Sequence, residues 1–293
     1  MVQTLRARAL SRLKLDHPAT SGLWQQSFDP ERRFFVLGWC PRYTPLVSPF
    51  VLAAAPGELT PLFAALLGAL QGVAEFLPIS SSGHLSLMQL WLGIDAEAAG
   101  HTFNITVHAG TLLAVLVFYR RDLVELVCNV AHRTRGGPAR ALALALILAT
   151  LPLALALTPW FEAWIIAAEG DPRIIGGGLL FTALLLLFTH RRSQASRVDE
   201  TGAPSPGKAV VIGLFQLVAT LPGVSRSGST IAAALALGHD RERAARFSFL
   251  LSIPAILGAS LKEVLSVMSD PAPVSLAPSG FLLGFGVSFV VGL

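Results

Sequence analysis

The chain has 293 residues, of which 14% are charged and 53% hydrophobic. An ordinary soluble domain carries about 25% charged residues, so the composition argues against a disordered chain and is too apolar for a typical soluble enzyme. A net charge of +4 and two cysteines, Cys40 and Cys128, give no disulfide framework and no cysteine-based zinc site.

The first part of the chain differs from the rest. Residues 1–33 are polar and basic, with Arg6, Arg8, Arg12, Lys14, Arg32 and Arg33. Residues 34–56 are apolar but interrupted by Pro41, Arg42, Pro45 and Pro49, too late and too broken for a secretory signal. Residues 1–57 therefore read as a disordered extension, with an extra membrane segment as the alternative. A membrane domain is expected over 58–293.

From residue 60 onward, apolar blocks lie at about 103–119, 141–159, 174–189, 247–268 and 280–293. The first four approach the roughly 20 residues that a helix needs to cross the hydrocarbon core. The last is still apolar at Leu293, so the chain is expected to stop inside a helix, with the C-terminal helices truncated. Two further blocks, about 61–94 and 209–238, are broken by Pro, Gly and Ser clusters. Irregular backbone at membrane depth is tolerated only where protein or a cavity surrounds it, which suggests re-entrant hairpins.

The segments between blocks read as loops. Arg120, Arg121, Arg133, Arg135 and Arg140 follow the first block; Glu162, Glu169 and Asp171, with only Arg173, follow the second; Arg191, Arg192, Arg197 and Lys208 follow the third. Basic loops stay inside, so these alternate inside, outside, inside. Arg241, Glu242, Arg243 and Arg246 read as a further solvated inside loop. The second broken block then starts and ends inside. The first, flanked by Glu58, Asp95 and Glu97, starts and ends outside.

The two broken blocks are related. Aligned at an offset of 145 without gaps, Ala64 to Leu85 and Ala209 to Thr230 share eight identities, among them Gln71 with Gln216 and the Ser-x-Ser-Gly of Ser80–Gly83 with Ser225–Gly228. Repeat one spans about 58–140 and repeat two about 205–293. Three spans separate the copies, and an odd number inverts the second across the membrane. The expected fold is an all-α polytopic membrane protein, an inverted-topology repeat with two re-entrant helical hairpins and a polar site where they meet.

The copies differ where chemistry is expected. Glu75 and His84 of the first stand against Thr220 and Ser229 of the second, and Arg226 of the second stands against Ser81. A charge at the centre of a membrane helix costs about 2.5–3.5 kcal/mol on insertion scales, so Glu75 and Arg226 call for a reason. One reading is a buried ion pair that joins the hairpins. The other is a site for a phosphorylated substrate, because Arg forks onto phosphate and Ser/Gly helix starts offer N–H groups to anions. Glu75 suits a general base or metal ligand. Gln71, one turn earlier on the same face, suits orientation of the carboxylate or of a metal-bound water. His84 suits a nucleophile, a leaving-group acid or a structural hydrogen bond. His101 and His108 read as capping or interfacial residues, and Asn104 and Ser252 as weaker cavity candidates. Pro78 and Pro222 break the helices.

Gln-Gly-Val-Ala-Glu-Phe-Leu-Pro-Ile-Ser-Ser-Ser-Gly-His-Leu (Gln71 to Leu85), Leu-Pro-Gly-Val-Ser-Arg-Ser-Gly-Ser-Thr (Leu221 to Thr230) and Phe-Ser-Phe-Leu-Leu-Ser-Ile-Pro (Phe247 to Pro254) resemble the undecaprenyl-diphosphate phosphatase, or bacitracin-resistance, family. The resemblance covers about residue 58 to the end. It implies a multi-pass hydrolase of the bacterial cytoplasmic membrane that removes the terminal phosphate of undecaprenyl diphosphate, recycling the lipid carrier of cell-wall (peptidoglycan) synthesis. Residue by residue it implies catalytic roles for Glu75, His84, Ser81 and Arg226. Substrate contacts fall on Ser80, Ser82, Gly83, Ser225, Ser227 and Gly228. A divalent metal, Mg or Ca, falls on Glu75 and Gln71, where Gln takes an acidic position of the family pattern and removes one metal ligand. The nucleophile stays open among His84, a serine of 80–82 and water. Expected partners are the polyprenyl diphosphate and membrane lipid, with a homodimer allowed and nucleic acid not expected. A transporter or lipid flippase is the alternative on inverted-repeat grounds. An acid phosphatase with paired His motifs lacks its second His after Arg226.

Overall fold

The computed structural model describes residues 59–92, 94, 101–131, 136–169, 171–193, 202–269 and 278–293. The expected N-terminal extension lies outside them. The described residues form α1 (Pro61–Ala74), α2 (Ser81–Leu92), α3 (His101–Phe118), α4 (Arg120–Ala131), α5 (Gly137–Thr150) continued by a 3₁₀ turn (Leu151–Leu157), α6 (Pro159–Glu169), α7 (Pro172–Ser193), α8 (Pro206–Val218), α9 (Arg226–Ala236), α10 (Arg241–Ser269) and α11 (Pro278–Gly292). No strand occurs among them.

Local chemistry sets most helix starts. Thr60 Oγ1 accepts from the Phe63 N–H at 3.3 Å, and Pro61 opens α1. Asp171 accepts from the Arg173 N–H ahead of α7, and Asp240 accepts from the Arg243 N–H ahead of α10, each at 2.8 Å. Such caps satisfy donors that the first turn leaves without partners. Proline also opens α8.

Gly137–Leu157, Pro172–His190 and Arg241–Leu265 are long and apolar enough to cross a membrane. A fourth crossing arises if α3 and α4, bent by 69° at their junction, form one span. Only 11% and 17% of the α5 and α7 windows are buried, against 44% for α10. Exposed Leu144, Leu180, Leu184 and Phe188 therefore form a lipid-facing surface on the outer helices. The chain is a polytopic all-helical membrane protein.

Three stretches read as loops are helical. Residues 120–131 form α4, an amphipathic helix whose Asp122 pairs with Arg246. Residues 159–169 form α6, with Trp160 and Trp164 exposed in the manner of interfacial aromatics. Arg241, Glu242, Arg243 and Arg246 form the first turns of α10. Each of these stretches is too short or too charged to show the long apolar run that marks a span.

The repeats are interlocked. α1 packs on α11, at the far end of the second repeat, and its counterpart α8 packs on α5, which follows the first repeat. Both contacts need glycine. A Cβ on Gly68 would stand 2.6 Å from the Gly284 carbonyl oxygen, and one on its repeat mate Gly213 would stand 2.5 Å from the Ala149 carbonyl oxygen. Two apolar clusters result, one around Phe63, Leu67, Phe103 and Val107, the other around Ala149, Ile212, Phe247 and Leu251. Gly213→Val is expected to lower thermal stability in detergent, by about 1–3 kcal/mol of overpacking. Gly177→Ala, with open space around it, should not. Equal melting temperatures for wild type and Gly213→Val would contradict the packing.

Candidate active site

The two breaks are built alike. Ser80 Oγ accepts from the Gly83 N–H at 3.3 Å, and its repeat mate Ser225 accepts from the Gly228 N–H at 3.0 Å. The Ser80–Ser82 hydroxyl distance is 3.4 Å and the Ser225–Ser227 distance 3.3 Å. Each break thus ends in a serine cap that opens a helix N-terminus, a natural anion site. The backbones are not identical. Ser80 has φ of 70°, a left-handed conformation uncommon for serine, whereas Ser225 has φ of −72°. In the second break the left-handed position falls on Gly223, whose φ is +86°. Thr182 of α7 secures that break by accepting from the Ser225 N–H at 2.9 Å and donating to the Gly223 carbonyl at 3.2 Å.

The breaks meet across one cavity of about 680 Å³. Its polar end is lined by Glu75, Ser80, Ser81 and Ser82 of repeat one and Ser225, Arg226 and Ser227 of repeat two. Along the chain 151 residues separate Glu75 and Arg226, yet Arg226 Nη2 donates to Glu75 Oε1. The Glu75 side chain is 5% exposed and the Arg226 side chain 21%. Ser227 Oγ also donates to the Leu77 carbonyl at 3.3 Å, a second tie between repeats. Glu75 Oε2 receives Ser81 Oγ at 2.7 Å and Gln71 Nε2 at 3.0 Å. A buried carboxylate is tolerable because donors from both repeats surround it.

Not every expected site residue joins this group. The His84 ring places Nδ1 2.7 Å from the carbonyl of Ser80, the residue that caps its helix, and His84 is not among the residues lining the cavity. Gly83 and Gly228 sit at the caps, where Gly83 lets the breaks approach: a Cβ there would stand 2.8 Å from the Gly223 Cα. Asn104 lines the cavity. Ser252 is buried, donates to the Phe249 carbonyl and does not line it.

One site residue was assigned elsewhere on sequence grounds. His108, read there as a cap or interfacial residue, places Nε2 3.5 Å from both Glu75 Oε2 and Ser81 Oγ. Its signal is the spacing of Asn104, His108 and Thr111, a polar stripe at i, i+4 and i+7 of a largely apolar helix. The stripe faces the first break, since Gln71 Nε2 also reaches Thr111 Oγ1 at 3.4 Å.

For a cation, the described residues contain no group of three or more His, Cys, Asp or Glu side chains. Oxygen donors are nevertheless at hand. Oε1 of Gln71 and Oε1 of its repeat mate Gln216 are buried without a hydrogen-bond partner, and Gln216 lines the cavity. Flipping either amide would set its oxygen against an acceptor, Glu75 or the Ala149 carbonyl, so the orientation is fixed by chemistry. Of the two amides only Gln216 lines the cavity; with Glu75 it offers oxygen donors suited to a hard cation held mainly by a bound phosphate, not one caged by protein alone.

Away from the polar end the cavity wall is apolar, with Leu146, Ile147, Leu151, Leu157 and Ile256. Asn104, Glu169, Lys262 and Glu263 also line it. A polar, anion-binding end joined to an apolar wall suits an amphiphile with an anionic head.

Comparison with known proteins agrees. A family model described as bacitracin resistance protein BacA matches residues 64–293. An undecaprenyl-diphosphatase of Rubrobacter xylanophilus is 43% identical over 236 residues, covering 79% of this chain and 85% of that protein. One of Geobacter metallireducens is 42% identical over 239 residues, covering 80% and 86%. One of Korarchaeum cryptofilum is 41% identical over 241 residues, covering 78% and 86%.

Proposed function

The chain belongs to the BacA bacitracin-resistance family, and from that premise we infer that it is an undecaprenyl-diphosphatase whose chemistry is carried out by Glu75, Ser81 and Arg226. The enzyme hydrolyses the terminal phosphoanhydride of undecaprenyl diphosphate, giving undecaprenyl phosphate and inorganic phosphate. The observation that carries the site is the convergence of both repeats on one carboxylate, with Ser81 and Arg226 bound to its two oxygens.

The head group lies between the two serine-capped helix starts. Arg226 turns its fork from Glu75 to the terminal phosphate, and the α2 and α9 N–H groups face the same charge. The prenyl tail follows the apolar wall toward the lipid. Ser81 Oγ attacks the terminal phosphorus while its proton passes to Glu75. The bond from that phosphorus to the bridging oxygen breaks, and undecaprenyl phosphate leaves with the electron pair. Glu75 gives up its proton to solvent. Water then attacks the phosphorus of the phosphoserine and the bond from phosphorus to Ser81 Oγ breaks; one water proton passes through Glu75 to Ser81 Oγ, and the other stays on the inorganic phosphate. A divalent cation on the diphosphate would be held by Glu75 and would offset phosphate charge.

Loop charges support an inverted arrangement in the cytoplasmic membrane with the cavity open to the outer side. Glu169, Lys262, Glu263 and Asn104 come from three separate segments that this topology places outside. Purified protein in detergent is expected to release inorganic phosphate from undecaprenyl diphosphate, less so with EDTA and again on adding Mg²⁺. A pure carrier would bind or move the lipid without releasing phosphate, and that result would sink the reading.

A further inference from the structure

His108 stands beside the reacting groups and has no part in the steps above. Its ring is fixed from behind, with Nδ1 2.6 Å from the Asn104 carbonyl. A carbonyl only accepts, so Nδ1 carries the hydrogen and Nε2 of the neutral ring is an acceptor. Asn104 is itself held: Gln89 Nε2 of α2 donates to its Oδ1 at 2.9 Å, and its Nδ2 faces Gln89 Oε1 at 3.4 Å. A chain of contacts thus runs from Gln89 on α2, through Asn104, to the His108 ring on α3.

The ring's free nitrogen faces two groups, Glu75 Oε2 and Ser81 Oγ, both at 3.5 Å. Of these only the Ser81 hydroxyl can donate to it. Ser81 therefore has two acceptors for one proton, the near one just past the end of α1 and the farther one on α3. Ser81 follows a residue held at φ of 70°, at the first position of a helix, where the backbone alone does not fix the hydroxyl rotor. Without a second acceptor the hydroxyl is set by Glu75 alone, which Arg226 also engages.

We propose that His108 is a positioning residue for Ser81: held on the Asn104 carbonyl, it fixes the Ser81 hydroxyl from the α3 side so that the Ser81 oxygen faces the bound phosphate. The proposal rests on the phosphatase reading with Ser81 as nucleophile. The role is one of hydrogen bonding and placement, not of carrying a proton. It therefore passes to an amide of similar reach. A misplaced nucleophile slows the chemical step without weakening head-group binding, since the phosphate clamp is elsewhere.

The experiment compares wild type, His108→Gln and His108→Ala, purified in detergent and matched for melting temperature and monodispersity, in undecaprenyl diphosphate hydrolysis. His108→Ala is expected to lower kcat about 30-fold or more with KM within about threefold of wild type. His108→Gln, whose amide oxygen can accept from Ser81, is expected to keep kcat within about threefold. Full activity in His108→Ala overturns the proposal. So does a His108→Gln variant as slow as His108→Ala, which would assign the imidazole a role that an amide cannot fill. A KM effect at unchanged kcat overturns it as well, by making His108 a binding residue. Absence of phosphate release by wild type would instead be a failure of the phosphatase reading.

Discussion

Arg226→Ala should abolish phosphate release while leaving the protein in the membrane. Arg226 opens α9 and projects into the cavity, where it pairs with Glu75 from the other repeat. Its loss removes the fork that grips the terminal phosphate, and the loss of one preorganised charge donor costs about 10²–10³ in rate. It also leaves a buried carboxylate without its cation, a penalty of about 3–5 kcal/mol. Arg226→Lys separates charge from shape. Lys keeps the positive charge but not the bidentate geometry, so partial stability with poor activity is expected. Phosphate release at saturating substrate, together with a melting curve, checks both parts. Wild-type turnover in Arg226→Ala would remove the clamp from the mechanism.

Glu75→Gln is expected to be as damaging by a different route. The carboxylate accepts from Ser81 at 2.7 Å and from Gln71 at 3.0 Å, and pairs with Arg226. The amide has nearly the same shape, but one of its two ends donates where the carboxylate accepts, and it takes no proton from serine. Loss of a general base costs about 10²–10⁴ in rate. Arg226 is then the unpaired charge, so stability should fall too. The double variant Glu75→Gln with Arg226→Gln tells the two effects apart. It removes both charges, so it should melt above either single variant yet stay inactive. Additive loss of stability in the double variant would mean that the pair contributes nothing to holding the repeats together.

The membrane class and the repeat were legible because they rest on local pattern. Long apolar blocks mark the spans of α5, α7 and α10, and Ser-x-Ser-Gly marks both helix starts. The meeting of Glu75 and Arg226 was legible for an energetic reason: two charges in broken apolar segments need each other or a ligand. The interlock of α1 with α11 and of α8 with α5 was not legible. Gly68 and Gly213 align between the repeats, but their partners, Gly284 and Ala149, are set by how the helices pack. α4 and α6 are not legible as spans because each is short and mixes charge with its apolar residues, so neither shows a long apolar run. His108 stands on a polar stripe with Asn104 and Thr111, but a stripe on one helix does not say which neighbour it meets. Its partners, Glu75 and Ser81, lie 33 and 27 residues earlier in the chain. His84, adjacent to the same motif, drew attention by position, yet its ring turns to the carbonyl of Ser80, the residue that caps its helix. In both cases helix packing decides which imidazole faces the cavity.

The central claim is that the two breaks form one hydrolytic site with Ser81 at its reacting centre. The most direct measurement is a single-turnover assay of phosphate release from undecaprenyl diphosphate by purified wild type, Ser81→Ala and Ser82→Ala. The account predicts loss of release by about 10³-fold or more in Ser81→Ala and a much smaller change in Ser82→Ala. Release by Ser81→Ala at the wild-type rate, in protein that melts like wild type, would contradict it.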